Sequence, residues 1–188
     1  MEAFLVSMGV VALAEIGDKT QLLALMLSVR FRRPWPIILG ILAATLANHS
    51  LAGALGAWLA AAVGPASLRW ALAVSFIGMA LWTLVPDRLE SDEAPKASRF
   101  GAFGTTVLAF FVVEIGDKTQ VATVALAAHY PSLLAVVAGT TCGMLIADVP
   151  AVLLGEVAAR RLPMRLVRGI AASSFLLLGV FVLIGAAG

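Results

Sequence analysis

Residues 15–21 read Glu-Ile-Gly-Asp-Lys-Thr-Gln, and residues 114–120 read the same seven letters again. A shift of 99 positions superimposes the two copies. The same shift, without a gap, aligns Ala3 with Ala102, Phe4 with Phe103, Gly40 with Gly139, Leu46 with Leu145, Gly56 with Gly155, Ser75 with Ser174 and Phe76 with Phe175. The chain is a duplicated unit. Each heptapeptide lies near the middle of a long apolar run, 4–28 for the first and 102–128 for the second. Runs of this length are what an apolar helix needs to cross the hydrocarbon layer. The motif therefore puts charge at bilayer depth, where each central Asp, Lys or Arg costs about 2.5 to 3.5 kcal/mol even on lenient scales.

Composition agrees with a membrane setting. Of 188 residues, 61% are apolar and 13% charged, and the mean hydropathy is +1.01. These values exclude a water-soluble globule. Four further apolar runs, 36–63, 68–85, 131–158 and 167–187, bring the expected number of helices to six. The expected fold is all-α, a polytopic membrane protein of six transmembrane helices. Residues 1–86 form the first three-helix repeat, 87–100 an acidic cytoplasmic linker, and 101–188 the second repeat. Three is odd, so the second repeat enters the membrane from the opposite side, and the repeats are inverted. The first run follows Met1, Glu2 and Ala3 with no positive n-region and is too long for a cleaved leader, so it reads as a retained span.

The basic residues support that inversion. Arg30, Arg32, Arg33, Arg88, Lys96, Arg99, Arg160, Arg161, Arg165 and Arg168 fall on one face, Arg69 alone falls on the other, and Lys19 and Lys118 lie within spans. Retention of Lys and Arg in the cytoplasm then places both termini outside it. The pI near 9.1 reflects those loops and implies no nucleic-acid partner. Trp35 and Trp70 sit at belt positions, whereas Trp58 and Trp82 read as deeper packing residues. The single cysteine, Cys142, excludes an intrachain disulfide and any Cys-based metal cluster.

On a regular helix Glu15, Asp18 and Lys19 share one face, with Gln21 near Asp18, and Glu114, Asp117 and Lys118 repeat the pattern. Gly17 and Gly116 lie between the acids, where the backbone can unwind and free carbonyls for an ion. Four carboxylates and two ammonium groups meeting at the midplane carry a net charge of −2. One divalent cation or two protons neutralise it, which is the chemistry of an exchanger. Oxygen ligands suit Ca²⁺, Mg²⁺ or Mn²⁺ and disfavour copper and zinc. The bland alternative is that Glu and Lys pair within each helix and hold the bundle together, with Gly serving close packing.

The 99 shift also sets Asp148 opposite His49, with Asn48 alongside. These three either complete the coordination shell, relay protons, or form an interhelical hydrogen bond. Glu156 near Arg160 reads as a surface pair, His129 as a solvent-facing turn residue, and Gly53, Gly56, Gly139, Gly143 and Gly155 as close-packing positions.

Two copies of Glu-x-Gly-Asp-Lys-Thr, each in the first helix of a three-helix repeat, resemble the signature of the Gdt family of calcium/manganese:proton antiporters. The resemblance covers essentially the whole chain. It implies export of Mn²⁺, with Ca²⁺ as a second cargo, across the bacterial inner membrane in exchange for protons. It further implies that Glu15, Asp18, Glu114 and Asp117 bind the ion, with Thr20, Gln21, Thr119 and Gln120 lining the path and Lys19 and Lys118 supporting it. No resident cofactor, ATP site or enzymatic activity is expected, since no Walker-type Gly-rich loop is present. The partners are the metal ion, protons and the bilayer, with a second copy of the chain allowed. Two other classes fit midplane carboxylates: a lysine-exporter-like carrier of small organic solutes, and an intramembrane hydrolase. Duplication in inverted orientation serves two-sided access and so disfavours the hydrolase.

Overall fold

The computed structural model describes residues 1–85, 100–154 and 164–184, and these are helical throughout apart from short turns. Most of the 87–100 linker, the Glu156 and Arg160 pair and Gly155 lie outside the described residues. Eight helices are described: α1 (Glu2–Glu15), α2 (Lys19–Phe31), α3 (Pro34–Ala62), α4 (Pro65–Thr83), α5 (Gly101–Glu114), α6 (Lys118–His129), α7 (Leu133–Leu154) and α8 (Met164–Ile184). Each of the last four begins 99 positions after its counterpart among the first four. The duplication seen in the letters is thus repeated in the helix starts.

Local chemistry explains the breaks. Pro34 and Pro65 open α3 and α4 at the first turn, where a missing N–H costs nothing. Within the runs 4–28 and 102–128 the helix is interrupted at the heptapeptide, so each run is a pair of short helices rather than one long one. The α3, α4, α7 and α8 helices are long and apolar enough to cross a bilayer, and α5 is a shorter apolar helix. The architecture is that of an all-helical membrane protein.

The two halves interleave. α1 packs most extensively on α7, α3 packs on α5 and α6, and α4 on α8. The same close contact is made twice. A Cβ added to Gly40 in α3 would meet Thr106 and the Phe103 carbonyl of α5, and one added to Gly139 in α7 would meet the Phe4 carbonyl and Ser7 of α1. Gly53, Gly56 and Gly143 are likewise filled by neighbouring helices, as close-packed membrane helices require. Phe76 and Phe175, one shift apart, are both fully buried in one apolar cluster with Met79 and Leu126. A second cluster holds Leu23, Leu27, Ile37, Ile41, Phe110 and Met144.

Large apolar side chains such as Leu51, Val74, Leu81 and Leu177 point out of the bundle, while Glu15, Thr20, Asn48, His49, Glu114, Thr119 and Asp148 are buried within it. Polar inside and apolar outside is the arrangement that lipid demands. Two tryptophans depart from expectation. Trp58 is 62% exposed and Trp82 40% exposed, so both face outward instead of packing, because the apolar stripe that hydropathy detects includes the lipid-facing side.

Candidate metal site at the two helix breaks

The heptapeptide makes its own break, and each residue type has a part. α1 ends at Glu15, Ile16 turns extended, and Gly17 takes φ 83°, the left-handed region that residues with a Cβ avoid. Asp18 then stands at the N-terminal boundary of α2 without its side chain capping the helix. The second copy matches: α5 ends at Glu114, Gly116 has φ 79°, and Asp117 precedes α6. The last two letters secure the turn. Gln21 Oε1 accepts from the Gly17 N–H at 3.1 Å, and Gln120 Oε1 accepts from the Gly116 N–H at 2.8 Å. Thr20 Oγ1 donates back to Glu15 Oε2, and Thr119 Oγ1 donates to Glu114 Oε2 at 3.3 Å. Thr and Gln therefore hold the loop and orient the glutamate.

Interleaving brings the two breaks together. Glu15, Glu114 and Asp117 offer carboxylate oxygens that all lie within 4.8 Å of one another. All three are buried, and Glu15 Oε1, Glu114 Oε1 and Asp117 Oδ2 have no hydrogen-bond partner. Three mutually repelling carboxylates with unsatisfied buried oxygens have the donor chemistry that a hard cation could use. The N-termini of α2 and α6 contribute partial positive charge and the C-termini of α1 and α5 partial negative charge, as at ion sites built on broken helices.

Asp18 is held differently. Its Oδ1 lies 2.6 Å from Lys118 Nζ, and Lys19 Nζ lies 3.8 Å from Asp117 Oδ1. The expectation of Glu and Lys sharing a face within one helix does not hold, because the break at Gly17 and Gly116 separates each Glu from its Lys. The lysines reach across to the other half instead.

The flanking polar residues also converge. His49 Nε2 lies 3.8 Å from Glu114 Oε2. Asp148 is fully buried, neither of its oxygens has a hydrogen-bond partner, and its charge is close enough to act on both Glu15 and Glu114. The centre thus gathers five carboxylates against two ammonium groups. Asn48 is more remote in role: its Nδ2 donates to the Phe111 carbonyl at 3.1 Å, tying α3 to α5. Gln21 Nε2 likewise ties α2 to the Ala147 carbonyl of α7 at 2.9 Å.

A second cluster escaped sequence reasoning. His129 is half-buried, with its ring 4.8 Å from that of Tyr130. It also lines a cavity of about 660 Å³ with Arg69, Leu72 and Phe181. Burial lowers the imidazole pKa from its ordinary value, opposed by the Glu2 carboxylate. Tyr130 is shifted upward by burial, by the Glu2 charge and by a hydrogen bond with Glu2. No periodicity signals that the first helical residue of the chain lies beside its 130th.

Comparison with known proteins gives a consistent result. The family model described as "Divalent cation/proton antiporter GDT1" matches residues 3–91 and 102–188. A Vibrio cholerae protein named "Putative manganese exporter" is 50% identical over 181 residues, covering 96% of this chain and 90% of that one. A GDT1-like protein of Synechocystis is 31% identical over 96% of both chains. GDT1-like protein 3 of Oryza sativa subsp. indica is 28% identical over 93% of this chain and 71% of its own length. No solved structure matches the chain at a significant level.

Proposed function

The chain belongs to the GDT1 family of divalent cation/proton antiporters, a family of transporters and not of enzymes, and from that premise we propose that it exports Mn²⁺, with Ca²⁺ as a second cargo, in exchange for protons. One observation carries this reading: Glu15, Glu114 and Asp117, drawn from both repeats, bring buried carboxylate oxygens within 4.8 Å of one another. The cation is substrate, not a resident cofactor. It enters the site by replacing protons on those acids, and protons arriving from the other side replace it. Competition of the two for one set of carboxylates couples their fluxes without ATP. Asp18, Asp148 and His49 serve as further ligands or proton carriers, and Thr20, Thr119, Gln21 and Gln120 shape the broken turns.

In this proposal the α1–α2 and α5–α6 pairs are each one interrupted span, giving six spans in two inverted repeats, 1–86 and 101–188, joined by the 87–100 linker. The setting is the bacterial inner membrane with both termini outside the cytoplasm. The common 99-residue offset of the helix starts supports the two-repeat division, and the one-sided arginines support the orientation. Transport follows by alternating access, the cation site opening to one face and then the other.

Purified protein in sealed vesicles with a pH-sensitive dye tests the function. An outward-directed Mn²⁺ gradient should drive proton uptake, and Ca²⁺ should do so more weakly. Proton movement that follows lysine or other amino acids and ignores metal would replace this reading with that of an organic-solute carrier.

A further inference from the structure

The two cross-repeat ion pairs are the same contact viewed from the two halves, since the 99 shift carries Asp18 onto Asp117 and Lys19 onto Lys118. They are nevertheless unequal. Asp18 and Lys118 are 2.6 Å apart with side chains 0% and 3% exposed, whereas Asp117 and Lys19 are 3.8 Å apart and Lys19 is 18% exposed. The surroundings differ in the same sense. Ile16 and Gln21 in the first break are half-buried and buried, while Ile115 and Gln120 in the second are 58% exposed and half-buried. The acid of the loose pair, Asp117, is the aspartate that joins Glu15 and Glu114 in the three-carboxylate cluster; Asp18, in the tight pair, does not.

A carrier made of two matching halves changes sides when the halves exchange conformations. An inequality between equivalent contacts then becomes a difference between two states. We propose that the two lysines are alternating latches that hand over the third ligand: in this state Lys118 holds Asp18 aside while Asp117 serves the ion, and in the opposite-facing state Lys19 holds Asp117 and Asp18 takes its place. Each ammonium occupies an aspartate that would otherwise repel its neighbours, so the site presents three of the four motif acids at a time. The inference deepens the proposed function and rests on its assignment of the acids to the ion. Lys19 and Lys118 are positioning residues, acting through the aspartates.

The test reads conformation without transport. Single cysteines replace Ile16 or Ile115 in a Cys142→Ala background, and opened membranes free of metal are labelled with a membrane-impermeant maleimide. Position 115 should label faster than position 16. Lys118→Met removes the close cross-repeat partner of Asp18 and should raise the 16-to-115 labelling ratio about threefold or more, a change in the populations of two states. Lys19→Met should lower the ratio, and Lys118→Arg, which keeps the charge, should restore the parent value. A purely structural role would move both Met variants the same way. Shifts in one direction, or an unchanged ratio, overturn the latch even where Mn²⁺ exchange persists. Opposite shifts, with no Mn²⁺-driven proton movement in the parent protein, would leave the lysine switch standing and refute the ion assignment on which its ligand hand-over rests.

Discussion

His49 Nε2 stands 3.8 Å from Glu114 Oε2, with both side chains fully buried. The equivalent position in the other half is Asp148, also fully buried. The two half-sites are therefore chemically unequal: one carries an imidazole where the other carries a fifth carboxylate. Asp148→Asn should reduce the apparent affinity for Mn²⁺ by about tenfold to a hundredfold if the carboxylate contributes to ion binding. The Mn²⁺ dependence of proton uptake in vesicles measures this, and an unchanged half-saturation point would make Asp148 a packing residue.

Glu15→Gln and Glu114→Gln should each reduce Mn²⁺-driven proton movement to background, because each removes a cluster carboxylate. Both should leave thermal stability in detergent unchanged or higher, since one of several crowded buried charges has gone. Asp18→Asn and Asp117→Asn should abolish exchange too, but with loss of stability, because each leaves a lysine partner behind. Full exchange in these variants would defeat the site assignment.

Gly17 and Gly116 hold positive φ. Alanine there costs roughly 1 to 2 kcal/mol for the left-handed backbone and pulls the break toward continuous helix. Exchange rate and melting temperature should fall together in Gly17→Ala and Gly116→Ala. A variant with parent activity would show that the break is not needed for transport.

Gly56→Ala puts a Cβ against the Val124 carbonyl and Ala127 of α6, whereas Gly9→Ala meets open space. Overpacking of this kind costs about 1 to 3 kcal/mol. Thermal unfolding in detergent should show a lowered transition for Gly56→Ala and a parent or slightly raised transition for Gly9→Ala, since alanine is the better helix former.

Stability should also depend on pH through His129 and Tyr130. Burial lowers the folded pKa of His129 below 6.5, so the unfolded chain binds the proton more readily. Its contribution is then fully present above pH 6.5 and is lost as the pH falls. Tyr130 has its folded value above 10.0, so its contribution is present below pH 10.0 and is lost as the pH rises past that value. Melting temperatures from pH 5 to 8, roughly, should fall on the acid side, and His129→Gln should flatten that arm. An arm that survives the substitution would assign it to other groups.

The repeated heptapeptide, the helical class and the burial of the motif acids could be read from the letters, because identical charged letters centred in two apolar runs need an interior to hold them. The lysine partners could not. Spacing of three and four residues defines neighbours only on an unbroken helix, and Gly17 and Gly116 interrupt the helix between each Glu and its Lys. The outward turn of Trp58 and Trp82 was also hidden, since hydropathy along a chain cannot tell a lipid-facing side from a protein-facing one. The seat of His129 beside Glu2 depends on how distant segments pack, which no local pattern encodes.

The crossed pairing of α1 with α7 and α3 with α5 bears on biogenesis. A ribosome delivers the first four helices before their partners have been translated, so a nascent chain halted midway holds Asp18 without the Lys118 ammonium that sits beside it in the finished bundle.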